Sequence, residues 1–252
     1  MRLAVVFVHG NPEVDAIWDA VVDLLDVDGV VRLSPPGFGS PIPDGFGCTL
    51  LEYRDWLIEA LEALDVPSDV VGHNVGGSTT IAAVMERPDL FRTWASDSAG
   101  VFDEDYRWHD MAQAWQTPGV GERAIAEWTS GDETARLALA HGLGASGGVA
   151  AALAAGLTPT LDRAVLGFYR SARQPAMVDL GRSLERAAQV PGLVVLAEQD
   201  NFVGSVAMRE RSARRAGATI AHIANAGHRW MLDQPADTAT FLEQFWRRNS
   251  VG

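Results

Sequence analysis

One repeated unit narrows the fold more than any other feature: a short apolar run, a turn bearing glycine or proline, then apolar residues at helical spacing. Leu3–Val8 is continuously apolar and stops at His9-Gly10, as a strand buried on both faces would. Ala16, Ile17, Ala20, Val21, Leu24 and Leu25 then recur with a helical period. Val30–Leu33 is a second apolar run, closed by Ser34-Pro35-Pro36-Gly37, a strong loop signal. Thr49-Leu50-Leu51-Glu52 has the form of a capping box, and Tyr53, Trp56, Leu57, Ala60, Leu61 and Leu64 give the helix after it an apolar face. Val70-Val71-Gly72 predicts a short strand, Ser78–Glu86 a helix stopped by Pro88, and Arg92–Ser96 another strand. Strands alternating with helices in this way specify a parallel sheet with helices on both faces.

The alternation then lapses. Residues of about 103–188 contain helical patterns and no convincing strand, with an Ala/Gly-rich stretch at 141–156 and aromatic residues at Tyr106, Trp108, Trp115 and Trp128. It returns with Leu193–Ala197, Thr219–Ile223 and an amphipathic helix from Ala236 to Arg248. The expected architecture is one α/β domain over residues 1–252, with a sheet core at 1–102 and 189–252 and a helical cap inserted at about 103–188. The Ala/Gly-rich stretch is a candidate gate over whatever the cap covers. No internal repeat is visible.

Charge and cysteine content exclude several classes of function. Thirty-three acidic against 20 basic residues give a net charge of −13, which argues against nucleic acid and anionic membrane as partners. Cys48 is the only cysteine. An internal disulfide is therefore excluded and a thiolate metal site disfavoured. Arg2 is followed at once by Leu3–Val8, too short for a signal core with its cleavage site, and no apolar run approaches the roughly 20 residues of a membrane span. The expected address is the cytoplasm, and a homodimer is compatible with the sequence.

The chemistry is concentrated at strand ends. Val71-Gly72-His73-Asn74-Val75-Gly76-Gly77 lies between a strand and a helix, the context of a sharp turn that lifts residue 74 above a sheet and sets it at a helix N-terminus. Asp200 follows the strand Leu193–Ala197, and His228 comes 28 residues later, after the next strand. His228 suits a general base, with Asp200 orienting it. The loop His9-Gly10-Asn11-Pro12 after the first strand is placed to supply one backbone N–H of an oxyanion hole and Val75 the other; His9 itself reads as a loop-ordering residue.

The chain resembles the epoxide hydrolase and haloalkane dehalogenase branch of the α/β-hydrolase family. The resemblance is carried by His9-Gly10-Asn11-Pro12-Glu13, Pro36-Gly37-Phe38-Gly39-Ser40, Gly72-His73-Asn74-Val75-Gly76-Gly77, Gln116-Thr117-Pro118-Gly119-Val120-Gly121-Glu122, Phe168-Tyr169-Arg170-Ser171 and Gly227-His228. It implies a two-step reaction. A carboxylate at position 74 attacks an sp³ carbon to form an ester, then water activated by His228 hydrolyses it while the amides of Asn11 and Val75 hold the oxyanion. Asn74 departs from this pattern, because a neutral carboxamide is a poor nucleophile. Three readings are open: an isosteric replacement of an aspartate, introduced to trap a substrate complex; a natural ligand-binding protein that no longer hydrolyses; and descent from a serine enzyme.

The resemblance also implies donors for the leaving group. Tyr169 matches the Tyr-Arg motif of epoxide hydrolase lids. The second lid tyrosine falls near Met111, which cannot donate; a shifted register makes the indole of Trp108 the donor, with Tyr106 and His109 beside it. Trp115 and Trp128 read first as packing residues, and Trp108, His109, Met111 and Trp115 are the candidate substrate-binding residues of the cap. For a halide, Asn11 resembles one ligand, while the tryptophan expected after the nucleophile is replaced by Val75. An epoxide is therefore the first expectation and a haloalkane the second. The ligand would be a small apolar or aromatic molecule, and no metal or organic cofactor is called for.

Overall fold

The computed structural model describes residues 4–250. Six strands form one fully parallel sheet in the order β2-β1-β3-β4-β5-β6: β1 (Val5–Val8), β2 (Val30–Leu33), β3 (Ser68–Gly72), β4 (Phe91–Ser96), β5 (Gly192–Ala197) and β6 (Thr219–Ile223). The strand alternation splits the core in two. Val6, Val8, Val70, Trp94 and Val194 point to one face, and Val5, Phe7, Val71, Ala95 and Val195 to the other, as the two-residue period of a strand requires.

Each face is covered by helices. On the first lie α2 (Leu50–Glu62) and α3 (Val75–Glu86), through Leu57, Leu61, Ile81 and Val84. On the second, α1 (Asp19–Val22) is joined by two helices from the chain's end, α11 (Trp230–Asp233) and α12 (Pro235–Asn249), through Val21, Trp230, Leu242 and Trp246. Between β4 and β5 the chain forms α4 (Asp110–Gln116), α5 (Val120–Thr129), α6 (Glu133–Gly142), α7 (Gly147–Gly156), α8 (Pro159–Ser171) and α9 (Ala176–Gly181), with no strand among them. This is the helical insertion read as a cap. α10 (Val206–Arg215) connects β5 to β6. Among the described residues no single helix is long and apolar enough to cross a membrane.

The elements bear on three expectations, of which the helix at 16–25 is corrected. The first strand begins at Val5, and Leu3 and Arg2, on which the readings of the strand start and of the missing signal rested, lie outside the described residues. The helical repeat at 16–25 yields only a 3-10 turn, Asp15–Trp18, running into the four-residue α1. Asp23, Asp26 and Asp28 crowd the end of that segment, where carboxylates oppose the helix dipole, and Leu24 is left exposed. The Ala/Gly-rich stretch is two helices with a turn at Leu143–Ser146, where Gly144 takes a left-handed φ of 88°. The capping box at Thr49 forms as read: Thr49 Oγ1 accepts from the Glu52 amide, and the Glu52 carboxylate accepts from the Thr49 amide.

The sheet order places the site. From β1 the chain moves outward to β2, then crosses back so that β3 pairs with the other edge of β1. The loops leaving the carboxyl ends of β1 and β3 therefore run to opposite sides, which opens a crevice between them, the usual place for a ligand in a sheet of this kind. Asn11 follows β1 and Asn74 follows β3.

Candidate active site

The turn at Asn74 is built from close approaches. Asn74 has φ 52° and ψ −117°, a positive-φ conformation outside the left-handed helical well, as a sharp strand-to-helix turn requires. Gly76 lets α3 start against the first loop: a Cβ there would stand 2.4 Å from the Val8 carbonyl oxygen and 2.5 Å from that of His9. Ser98 Oγ donates to the Asn74 carbonyl at 3.0 Å, and the Asn74 amide donates to Asp97 Oδ1 at 3.0 Å. The backbone on both sides of residue 74 is thus pinned before its side chain does anything.

That side chain is held by both of its heteroatoms. Oδ1 accepts from the Val75 amide at 2.6 Å and from the Asn11 amide at 3.3 Å. Nδ2 donates to His228 Nε2 at 2.7 Å. His228 Nδ1 in turn donates to Asp200 Oδ2 at 2.9 Å, and Asp200 Oδ1 accepts from the Phe202 amide at 2.8 Å. The five residues read from strand ends and loops therefore converge at the carboxyl edge of the sheet. Burial alone would raise the pKa of Asp200; the charge of His228 and the hydrogen bond to it outweigh that and hold it low. Arg209 fixes the loop from beneath, donating to the carbonyls of Ala197 at 3.0 Å and Asp200 at 3.2 Å.

A second ionic group, which the sequence reading did not single out, lies directly under the turn. His73 pairs through Nδ1 with Asp97, and Glu13 pairs with Arg229 at 2.9 Å, its carboxylate 3.9 Å from His73 Nε2. Trp230 Nε1 also donates to Asp97, at 2.8 Å. Burial would lower the pKa of His73, but Asp97 and Glu13 raise it to about 9. Asp97 and Glu13 are themselves held well below the carboxylate range against their burial, Asp97 mainly by His73 and Glu13 mainly by Arg229. The imidazole of His73 stands 4.7 Å from that of His228, centre to centre. Asp97 follows β4 as Asp200 follows β5, so its strand-end position was a signal available in the sequence. His9 keeps to its expected role: it is fully buried, its Nδ1 is 3.0 Å from the Gly10 carbonyl oxygen, and burial lowers its pKa to about 4. Cys48 is buried in a loop.

Above Asn74 the cap encloses a cavity of about 80 Å³ walled by Asn11, His109, Met111, Trp115, Tyr169 and Phe202 together with Asn74 and His228. A smaller hollow of about 20 Å³ adjoins it, walled by Val75, Trp108 and Phe168 and sharing Asn74, His109, Tyr169 and Phe202. Tyr169 Oη accepts from Asn11 Nδ2 at 3.5 Å, which leaves its proton free, and burial raises its pKa. His109 caps α4: its Nδ1 accepts from the Ala112 amide at 3.3 Å. Burial lowers its pKa to about 4, so at neutral pH it is uncharged, with its proton on Nε2.

One of the cap expectations changes. Trp108 cannot donate to a leaving group, because its Nε1 donates to the Ala172 carbonyl at 3.1 Å; it contributes only ring surface to the smaller hollow. Trp115 does more than pack edge-to-face on Trp128 at 5.4 Å. Its Nε1 is buried, lacks an acceptor, and belongs to a ring in the cavity wall. Met111 reaches the same wall from an exposed position.

The arrangement can hold an acyl oxygen in two amides, activate water at an imidazole and protonate or solvate a departing group from above. Solved structures with this fold include the ancestral haloalkane dehalogenase AncHLD2 (22% identity, 98% of this chain and 92% of that one, TM-score 0.75), Cfl2 from Burkholderia cenocepacia (21%, 97% and 88%, TM-score 0.77) and E-2-(acetamidomethylene)succinate hydrolase (18%, 97% and 91%, TM-score 0.72). No curated protein sequence matches the chain. A profile of the alpha/beta hydrolase family matches residues 5–241. The chain belongs to the α/β-hydrolase family.

Proposed function

We propose that this is a hydrolase of strained or activated sp³ carbon, with an epoxide as its first substrate class, working through an ester at position 74. The observation that carries the reading is the orientation of the Asn74 side chain. One heteroatom sits in the amide pair and the other faces His228, the posture an aspartate would need to attack with one oxygen while the other waits in the hole. With an aspartate there, the carboxylate opens the ring and Tyr169, with His109 Nε2–H beside it, protonates the alkoxide. His228, backed by Asp200, then draws a proton from water, which attacks the ester carbonyl. With Asn74 the first step is very slow, and the chain binds substrate far better than it opens it. The aromatic cap walls suit a small apolar or aromatic molecule.

A haloalkane is the second reading, supported by the unpartnered indole N–H of Trp115 in the cavity wall and by the dehalogenases among structures of this fold. A halide needs N–H donors and no proton, so one variant separates the two. In an Asn74→Asp background, Tyr169→Phe is expected to slow epoxide opening about 10²–10⁴-fold and to leave halide displacement within about tenfold. Adding His228→Ala to Asn74→Asp should accumulate the ester, seen as a mass increase on the intact chain. No turnover and no ester with epoxides, haloalkanes or esters would leave a ligand-binding protein as the reading.

A further inference from the structure

Asn74 is held as a substrate carbonyl would be. Its carboxamide oxygen takes both amide donors of the hole, at 2.6 and 3.3 Å, and its nitrogen lies 2.7 Å from His228 Nε2, which is backed by Asp200 at 2.9 Å. Asn74 is only partly buried, and the cavity of about 80 Å³ it faces also includes His228 in its wall, room for water, since about 10–15 Å³ of such space holds one molecule. From these contacts we infer that the chain hydrolyses its own Asn74 carboxamide to a carboxylate, and so makes the nucleophile that its sequence lacks. The inference rests on the reading that His228 activates water at residue 74.

The step balances without an added reagent beyond water. A cavity water displaces the amide from His228 Nε2, gives that nitrogen a proton and bonds through its oxygen to Cγ. The oxyanion formed on Oδ1 is held by the Val75 and Asn11 amides. The imidazolium, its charge matched by Asp200, returns the proton to Nδ2, the Cγ–N bond breaks, and ammonia leaves. A carboxylic acid remains at position 74 and ionises, giving a carboxylate and ammonium. This is the second half of the proposed catalytic cycle with nitrogen in place of the alkyl oxygen. Because an amide is a stiffer acyl group than an ester, the conversion is slow, running over hours to days, and happens once per chain. The competing succinimide route needs the Val75 nitrogen to turn onto Cγ, yet that nitrogen donates to Oδ1 and begins α3.

The test is intact-mass spectrometry of freshly synthesised protein aged in ordinary water and in water enriched in oxygen-18. Conversion adds about one mass unit per chain in the first and about three in the second, with normal aspartate at position 74 in the digested peptide and hydrolase activity rising in step. His228→Ala and, as a second variant, His228→Gln should slow the conversion about 100-fold or more, and Asp200→Asn by a smaller factor, each checked for an unchanged melting transition. Unchanged mass after prolonged ageing, with Asn74→Asp fully active, overturns the self-conversion and leaves the proposed function standing. Conversion at the same rate in both His228 variants, or isoaspartate as product, overturns it in favour of the succinimide route. Conversion that depends on His228, with no activity from the aged chain or from Asn74→Asp, supports the self-hydrolysis and removes the epoxide and haloalkane readings.

Discussion

Two indoles of the cap, at Trp108 and Trp115, sit a few residues apart and differ in one contact. Trp108 Nε1 gives its proton to the Ala172 carbonyl; Trp115 Nε1 has no acceptor and borders the cavity. Phenylalanine at each position removes one N–H and should have opposite consequences. Trp108→Phe leaves the Ala172 carbonyl without its donor and should cost about 1–3 kcal/mol in urea unfolding. Trp115→Phe removes a donor already unmatched, so its hydrogen-bond cost is about zero. What Trp115→Phe should lose is affinity for halide, read by bromide titration of the protein's tryptophan fluorescence. Equal loss of stability in the two variants would contradict the contact seen at Ala172. The difference is invisible in the sequence, where both residues are aromatic positions of the cap and only the tertiary neighbour decides which indole is free.

The element that matters most is the join of β3 to α3. Its geometry was legible because the glycines around His73-Asn74 permit few other arrangements between a strand and a helix. Gly76→Ala should be costly, since the new methyl meets the backbone oxygens of Val8, at the end of β1, and of His9 just after it, neither of which can swing away. We expect about 1–3 kcal/mol lost in urea unfolding, and a larger relative loss of turnover in the Asn74→Asp background, because the clash displaces the Asn11 amide. The six strands were readable to within a residue or two, their apolar runs being bounded by turn residues. The helix expected at 16–25 was not, because apolar spacing continued past the point where aspartates end it. Asp97, Glu13, His73 and Arg229 escaped for another reason: each is ordinary in its own segment, and their meaning is mutual proximity across 216 residues of chain.

At the scale of the whole molecule, three buried groups, Glu13, His73 and Asp97, and the half-buried Arg229 tie β1, β3, β4 and the start of α11 into one ionic group. They also make stability depend on pH. His73 has a folded pKa of about 9 against an ordinary value of 6.5. The stabilisation from its charge is fully present below about pH 6.5 and is lost as pH rises through 9. Melting temperature should therefore fall between those limits, and His73→Gln, at a lower baseline, should flatten that slope; the same slope in both proteins would remove His73 as its source. The sheet has a further consequence through the order in which it is threaded. Position 74 and the two amides belong to the half of the chain before the cap, whereas the imidazole, its carboxylate and Tyr169 belong to the half after α7. A cut in the turn between α6 and α7 would give two fragments, each catalytically mute, whose only shared sheet seam among the described residues is the pairing of Trp94–Ser96 with Gly192–Val194. Turnover regained on mixing them would then be a direct assay of that seam closing, with chemistry serving as the reporter of assembly.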